Sequence, residues 1–244
     1  MSGVEDKIRT LQRWVDESRS IVAFTGAGFS TESGLKDFRS VDGLYHEVYD
    51  WPPEEILSHT FFEKKPGEFF RFYRDKMLAP EAKPNPAHNK LWELERAGKL
   101  SAVVTQNIDG LHQAAGSRRV WELHGSVERN YCVCCGKSYT AGDILALRPL
   151  PTCDCGCIIK PDVVLYGEQL RADVLEGAVR DISRADLLIV GGTSLAVYPA
   201  AGLINYYTGS RLVLINKSPT PYDHRANLLI EGPVGQVLDQ IKVR

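Results

Sequence analysis

A set of short, unbroken apolar runs restricts the fold of this chain more than any other feature: SIVAFTG, SAVVTQN, VWELHG, DVVLYG, ADLLIVGG, RLVLIN and NLLIEG. Most are rich in Val, Ile and Leu and lack apolar–polar alternation. Strands of that kind are buried on both faces, as in a largely parallel sheet. Parallel neighbours need crossover connections, and helical stretches around 86–97, 170–183 and 196–207 supply them. Strand alternating with helix implies right-handed βαβ units and an α/β fold with a Rossmann-like, doubly wound parallel sheet. An amphipathic helix opens the chain, with Val4, Ile8, Leu11 and Val15 at helical spacing.

Two segments break this rhythm. Residues 40–80 hold no strand-like run but carry Phe61, Phe62, Phe69, Phe70, Phe72 and Tyr73 at loosely helical spacing. Residues 130–160 hold the cysteines. Both read as insertions, helical and zinc-binding, that together make a small lobe. The Rossmann-like domain is then 1–39, 81–129 and 161–244. Ligands of such sheets bind beyond the carboxyl ends of the strands, so a lobe inserted there forms a cleft.

Composition excludes some functions. The apolar fraction of 43% and charged fraction of 25% are those of a soluble globular protein. A net charge of −2 gives no reason to expect nucleic acid or an anionic membrane as partner. No apolar run approaches the ~20 residues of a membrane span. The N-terminus lacks a basic start followed by an apolar core, so the expected compartment is the cytoplasm.

Four constellations carry chemistry. Gly26-Ala27-Gly28 follows a buried strand, where glycines permit a tight turn and close approach to a pyrophosphate. The dinucleotide fingerprint is incomplete: Thr31 stands where its last glycine belongs, and no second strand ending in an acidic residue follows. A strand-to-loop turn without ligand is the alternative. The six cysteines all lie between 132 and 157. Cys132-x-x-Cys135, a 17-residue gap and Cys153-x-Cys155 suit two knuckles closing one tetrahedral zinc site. Four thiolates leave zinc no open position, so such a metal is structural. Cys134 and Cys157 are extra, and Cys157 competes as a ligand. Unliganded buried cysteines, or a nucleic-acid-binding ribbon, are the alternatives. The ribbon is disfavoured because 131–160 offers only Lys137, Arg148 and Lys160 as basic residues. TQNIDGLH (105–112) places Gln106, Asn107 and Asp109 at a strand's carboxyl end, though a polar turn would read the same. His124, in WELHGS, ends another strand, and imidazole takes a proton readily near neutral pH. With no nucleophile motif and a closed metal, any nucleophile must come from substrate.

In this order the constellations resemble the sirtuins, the NAD-dependent protein deacylases. GAGFSTESGLKDFRS (26–40), TQNIDGLHQAAGS (105–117), LHGS (123–126), the cysteine knuckles, KPDVVLYGE (160–168), GGTSLAVYPA (191–200) and LVLIN (212–216) carry the resemblance through nearly the whole chain. It implies NAD as a consumed co-substrate, one structural zinc ion, and acetylated-lysine proteins or peptides as partners. Ala27 and Thr31 would contact the NAD phosphates and ribose. Phe38 and Arg39 would cover the nicotinamide side, with Phe38 shielding the sugar. Gln106, Asn107, Ile108 and Asp109 would line the nicotinamide and ribose pocket. Asn107 would be catalytic with His124, the general base on a ribose hydroxyl. Thr193, Ser194, Asn216 and Ile230 would line the adenosine end. Val163–Gly167 and Ala196–Tyr198 would clamp a peptide by main-chain pairing. ADP-ribosyl transfer on the same scaffold, or a non-catalytic NAD-binding module, are the alternatives.

Three positions depart from the family pattern. Lys36 stands where proline is usual and Tyr166 where phenylalanine is, and the second cysteine knuckle is short. Sirtuins preferring succinyl or malonyl lysine carry a Tyr-x-x-Arg pair in the helical insert. Here Phe70 and Tyr73 fall on those positions, which predicts a preference for acetyl or other uncharged groups.

Overall fold

The computed structural model describes residues 3–37, 43 and 49–244. Phe38 and Arg39 lie outside them. Six strands form one parallel sheet: β1 (Ile21–Thr25), β2 (Leu100–Thr105), β3 (Val120–Glu122), β7 (Leu187–Gly191), β8 (Leu212–Asn216) and β9 (Leu228–Glu231). Their spatial order is β3-β2-β1-β7-β8-β9. The order reverses between β1 and β7, where a doubly wound sheet opens its ligand crevice.

The apolar runs are unbroken because both faces of this sheet are covered. Ile21, Ala23, Val103, Ile189 and Val213 point into one buried cluster, with Leu11 and Val15 of α1 (Gly3–Glu17). Val22, Phe24, Ala102, Val104 and Leu188 point into the other, with Ala178 and Ile182 of α8 (Ala172–Arg184). Burying each such aliphatic side chain contributes roughly 1.5–3 kcal/mol before chain entropy is charged against it. Helix α5 (Pro86–Arg96) starts sharply because Asn85 caps it, Pro86 needs no donor, and His88 closes a capping box with the Asn85 main chain.

Two expected elements differ. Of DVVLYG, only the start is a strand. β6 (Ile159–Val163) lies antiparallel to β4 (Gly125–Cys132), and β5 (Ser138–Tyr139) flanks β4 on its other side. Continuous burial does not distinguish a parallel sheet from a short antiparallel one packed under helices. Val163 and Leu165 are buried, but in a third cluster with Phe61, Phe62, Phe69 and Phe70. The helix expected at 196–207 is a 3-10 segment over Ala200–Tyr206. Pro199 has no N–H and its ring would clash with a preceding helical turn, so helical structure starts only after it.

That third cluster draws on elements outside the six-stranded sheet. It gathers α2 (Pro53–Ile56), α3 (His59–Lys64), α4 (Pro66–Phe72), Ile144 of α7 (Ala141–Ala146), and Cys132, Cys153 and Ile159 around the knuckles. Arg74 ties the helical part to the knuckle part. Its guanidinium donates to the main-chain carbonyls of Ile144 (2.8 Å), Leu147 (2.7 Å) and Pro149 (2.9 Å). No helix among the described residues is long and apolar enough to cross a membrane.

Candidate active site

The crevice is built where the turns after β1 and β7 meet. Gly26 N–H donates to Gly191 O and Gly28 N–H to Gly192 O, at 3.2 and 2.8 Å. A side chain at Gly26 would stand 2.6 Å from Thr193 Cβ, and one at Gly192, where φ is +62°, would stand 2.2 Å from the Phe29 nitrogen. The glycines are therefore required by backbone packing against backbone, whatever ligand approaches. Ala27 lies in the short 3-10 turn that follows, and Thr31 donates its hydroxyl to Gly28 O at 3.1 Å.

Two hydrogen-bonded groups line this crevice. In the first, Asn216 grips Thr193 at both main-chain groups: its Oδ1 accepts from Thr193 N–H (3.0 Å) and its Nδ2 donates to Thr193 O (2.8 Å). The Thr193 hydroxyl accepts from Gln106 Nε2 at 2.9 Å. The Gln106 carbonyl accepts from His124 Nδ1 at 2.8 Å. A carbonyl can only accept, so Nδ1 carries the proton and Nε2 keeps its lone pair. Burial pushes the His124 pKa down and the bond to Gln106 partly offsets this, so the ring is neutral at neutral pH. Gly125 lets the chain turn directly after it. With φ at +78°, any side chain there would lie 1.9 Å from Asp162 O.

In the second group, Asn107 Nδ2 donates to Ser30 Oγ (3.0 Å), which donates to Asp109 Oδ2 (2.7 Å). Asp109 Oδ1 accepts from Leu111 N–H at 2.9 Å. Burial raises the Asp109 pKa against the lowering effect of these donors. Behind Ser30 lie two buried histidines, His88 at 3.5 Å from its hydroxyl and His112 at 3.0 Å from Thr25 Oγ1. A cavity of about 260 Å³ runs from Asp109 to the inserted elements, lined by Leu35, Met77, Val127, Glu128 and Leu145 among others.

The remaining residues singled out in the sequence take different places. Ile108 accepts Val127 N–H through its carbonyl and packs against the inserted cluster. Ser194 is exposed beside Thr193. Ile230 is fully buried among Leu11, Val213 and Val237, so its side chain belongs to the core beneath the crevice. Leu195 holds φ at +52°, a left-handed backbone that is sparsely populated for a leucine. Ser30, which links Asn107 to Asp109, has no mark in the sequence beyond its place right after the glycine turn.

Most main-chain donors of the first stretch assigned to peptide pairing are already committed. Val164 N–H donates to His124 O, Leu165 N–H to Glu168 Oε2, and Tyr166 N–H to Leu57 O. His59 N–H donates back to Tyr166 O at 2.9 Å. Glu168 is held further by His59 Nδ1 (2.7 Å) and by the buried Lys160 ammonium (3.2 Å). The N–H groups of Gly167, Gln169 and Leu170 have no partner among the described residues.

Cys132, Cys135, Cys153 and Cys155 bring their sulfurs within 4.8 Å of one another. A tetrahedral zinc ion at ~2.3 Å from each sulfur needs them about 3.8 Å apart, so the four fit it. Cys134 and Cys157 are joined as a disulfide, which removes Cys157 from competition as a ligand.

Fold and site together define an α/β protein with a glycine-lined crevice at the carboxyl ends of its parallel strands, a neutral histidine in that crevice and four clustered cysteines able to hold a metal ion. Comparison with known proteins narrows this class. A family model described as the Sir2 family matches residues 26–199. The chain is 55% identical over 240 residues to an NAD-dependent protein deacetylase of Clostridium acetobutylicum, covering 97% of this chain and 98% of that one. It is 51% identical over 234 residues to one of Cutibacterium acnes, covering 95% and 96%. Among solved structures it resembles a Sir2 complex with p53 peptide and NAD+, with a TM-score of 0.84, 43% identity and 95% of each chain covered. A Sir2 mutant with deacetylated p53 peptide and 3′-O-acetyl ADP ribose gives 0.88, 42% and 96% of each chain. This chain belongs to the Sir2 family.

Proposed function

We propose that this chain is an NAD-dependent protein-lysine deacetylase that releases nicotinamide and O-acetyl-ADP-ribose. The observation carrying this reading is the His124 ring, whose Nδ1 proton is held by the Gln106 carbonyl while Nε2 is left able to take a proton. NAD is consumed, and the acyl-lysine oxygen replaces nicotinamide at the ribose. His124 serves as the general base on the ribose hydroxyl that then attacks the acyl carbon. Asn107, Asp109, Gln106 and Ile108 line the nicotinamide and ribose pocket, with Ser30 fixing the orientation of Asn107 and Asp109. Ala27 and Thr31 approach the phosphates. Thr193, Ser194 and Asn216 hold the adenosine end, and Ile230 supports them from the core. Phe38 and Arg39, outside the described residues, are assigned to the nicotinamide side by the family resemblance alone.

The peptide pairs with the stretches Val163–Gly167 and Ala196–Tyr198; at the first, the Gly167 N–H, which has no partner among the described residues, supports that placement. Zinc, held by Cys132, Cys135, Cys153 and Cys155, braces the knuckles and takes no part in the chemistry. The division into a Rossmann-like domain (1–39, 81–129, 161–244) and a lobe of two inserts (40–80 and 130–160) is part of this reading, as is residence in the cytoplasm.

The test incubates the protein with NAD and an acetyl-lysine peptide and identifies products by mass. Deacetylated peptide with O-acetyl-ADP-ribose is expected. ADP-ribosylated protein in its place would overturn the reading. His124→Ala should lose about 100- to 10,000-fold in rate while retaining NAD binding by calorimetry. Near-normal turnover would remove His124 from the mechanism.

A further inference from the structure

The proposed zinc site uses four of the six cysteines, and the other two sit between and beyond its ligands. Cys134 lies between Cys132 and Cys135, and Cys157 lies two residues after Cys155. Their disulfide joins the same two knuckles that the four clustered sulfurs join. It closes a separation of 23 residues, nearly the same loop that a shared metal ion would close. Cys134 is exposed and Cys157 half-buried, so the bond is open to a small thiol from solvent. The knuckles are otherwise linked by the main-chain bond from Val133 N–H to Ile158 O (3.1 Å), by the β4–β6 pairing of Cys132 with Ile159, and by an exposed Lys137–Asp154 pair.

We propose that Cys134 and Cys157 form a redox-modifiable site that sets how tightly the adjacent four-cysteine site holds its metal. This rests on the reading of Cys132, Cys135, Cys153 and Cys155 as a zinc site.

Closing a loop of this length in advance removes entropy that the metal would otherwise have to overcome on binding. Two closures of one loop are therefore coupled, and the coupling is reciprocal: the disulfide favours the metal, and the metal favours the disulfide. The full loop term corresponds to about three-hundredfold in affinity. The main-chain bonds between the knuckles already supply part of that closure, so an effect of roughly tenfold to a hundredfold is expected.

The modifying step is thiol–disulfide exchange. A thiolate of a low-molecular-weight thiol attacks Cys134 Sγ, and Cys157 leaves as a thiolate that takes up a proton. A second thiol resolves the mixed disulfide. The net reaction consumes two small thiols and yields two cysteine thiols and one small-molecule disulfide, a two-electron exchange.

The experiment compares zinc retention in three samples: air-oxidised protein, the same protein treated with a water-soluble phosphine, and a Cys134→Ser/Cys157→Ser variant. The phosphine becomes its oxide as it reduces the disulfide, and it competes poorly for zinc. A chromogenic zinc chelator reads the competition, and peptide mapping by mass identifies the linked pair. Oxidised protein should hold one zinc at least about tenfold more tightly than the reduced protein. The variant should match the reduced form and ignore phosphine. Equal affinity of oxidised and reduced wild type would overturn the proposal, as would six free thiols in the oxidised sample. The wild-type comparison stands by itself if the variant fails to fold. Absence of zinc from the oxidised protein would instead overturn the zinc reading itself, and with it this proposal.

Discussion

Mild acid should destabilise this protein through histidines packed behind the crevice. His88 is fully buried. Its Nδ1 accepts the Asn85 N–H at 3.2 Å, and its ring lies 5.2 Å from Phe29 and 4.8 Å from His112, centroid to centroid. No carboxylate among the described residues pairs with it, and burial holds its pKa down at about 4, against 6.5 for a free histidine. Between pH 6.5 and 4 the unfolded chain therefore binds more protons than the folded one, and stability falls as pH falls. The gap of roughly 2.5 pH units corresponds to about 3 kcal/mol once pH is below 4, of which ~2 kcal/mol is already lost at pH 5. His112, pushed well down by burial and then by the neighbouring His88, acts in the same direction. Asp109 acts the other way, because burial raises its pKa and the folded state then gains protons more readily than the unfolded one.

A comparison of wild type with His88→Asn isolates the His88 contribution. Asparagine can still accept the Asn85 N–H, but it does not titrate. Urea unfolding at pH 7 and pH 5 gives the stability of each. The variant should be less stable at pH 7, where it leaves a cavity. Wild type should nevertheless lose about 2 kcal/mol more than the variant between the two pH values. Equal losses would refute the reasoning and place the acid sensitivity elsewhere.

Three further outcomes follow from the packing. Arg74→Ala leaves the carbonyls of Ile144, Leu147 and Pro149 without their donor. It should cost the packing around α7 about 2–3 kcal/mol, read as faster hydrogen exchange in α7 with little change in α5. Gly192→Ala puts a methyl group against Phe29 N in a left-handed backbone. It should weaken NAD binding by at least about tenfold and lower the melting midpoint by several degrees, and an unchanged affinity would show that the two turns can separate without loss. Acetyl-lysine should exceed succinyl-lysine in kcat/KM on one peptide. Arg74 is taken up by three carbonyls and Arg71 is exposed beside Asp50 and Glu68, so neither is available to pair the carboxylate of a succinyl group, and burying that carboxylate unpaired is costly. A succinyl preference would require Arg71 to turn inward.

Much of this architecture is legible in the sequence because burial on both faces leaves a plain trace. Ile21 to Thr25 and Leu187 to Gly191 admit no polar side chain except Thr25 at the end of β1. DVVLYG carries the same trace for another reason, since Val163 and Leu165 are buried against phenylalanines of the inserted helices. Local composition reports burial without naming the partner. Ile230 illustrates the same limit: it is a core residue of β9 whose neighbours Leu229 and Glu231 face out, an alternation that assigns it inward. The cysteines mark another limit. Spacing picks out two knuckles, but several divisions of six thiols into ligands and a disulfide satisfy it. Only the fold, which pairs Cys132 with Ile159 across β4 and β6, decides which sulfurs meet.

The hydrogen-bonded groups of the crevice stand between these cases. Ser30 and Asn107 are 77 residues apart, and Thr193 and Gln106 are 87 apart. No local pattern connects them. Yet each lies just past the carboxyl end of its strand, and β1 neighbours both β2 and β7 in register, with Thr25 beside Thr105 and Gly191. Once the strand order is known, the short turns after these three ends must share one crevice, and their polar side chains have few partners other than each other. The same reasoning explains why Ser30 is hard to single out beforehand. A serine after a glycine turn is ordinary as sequence, and becomes specific only when β2 places Asn107 and Asp109 within 3.0 and 2.7 Å of its hydroxyl.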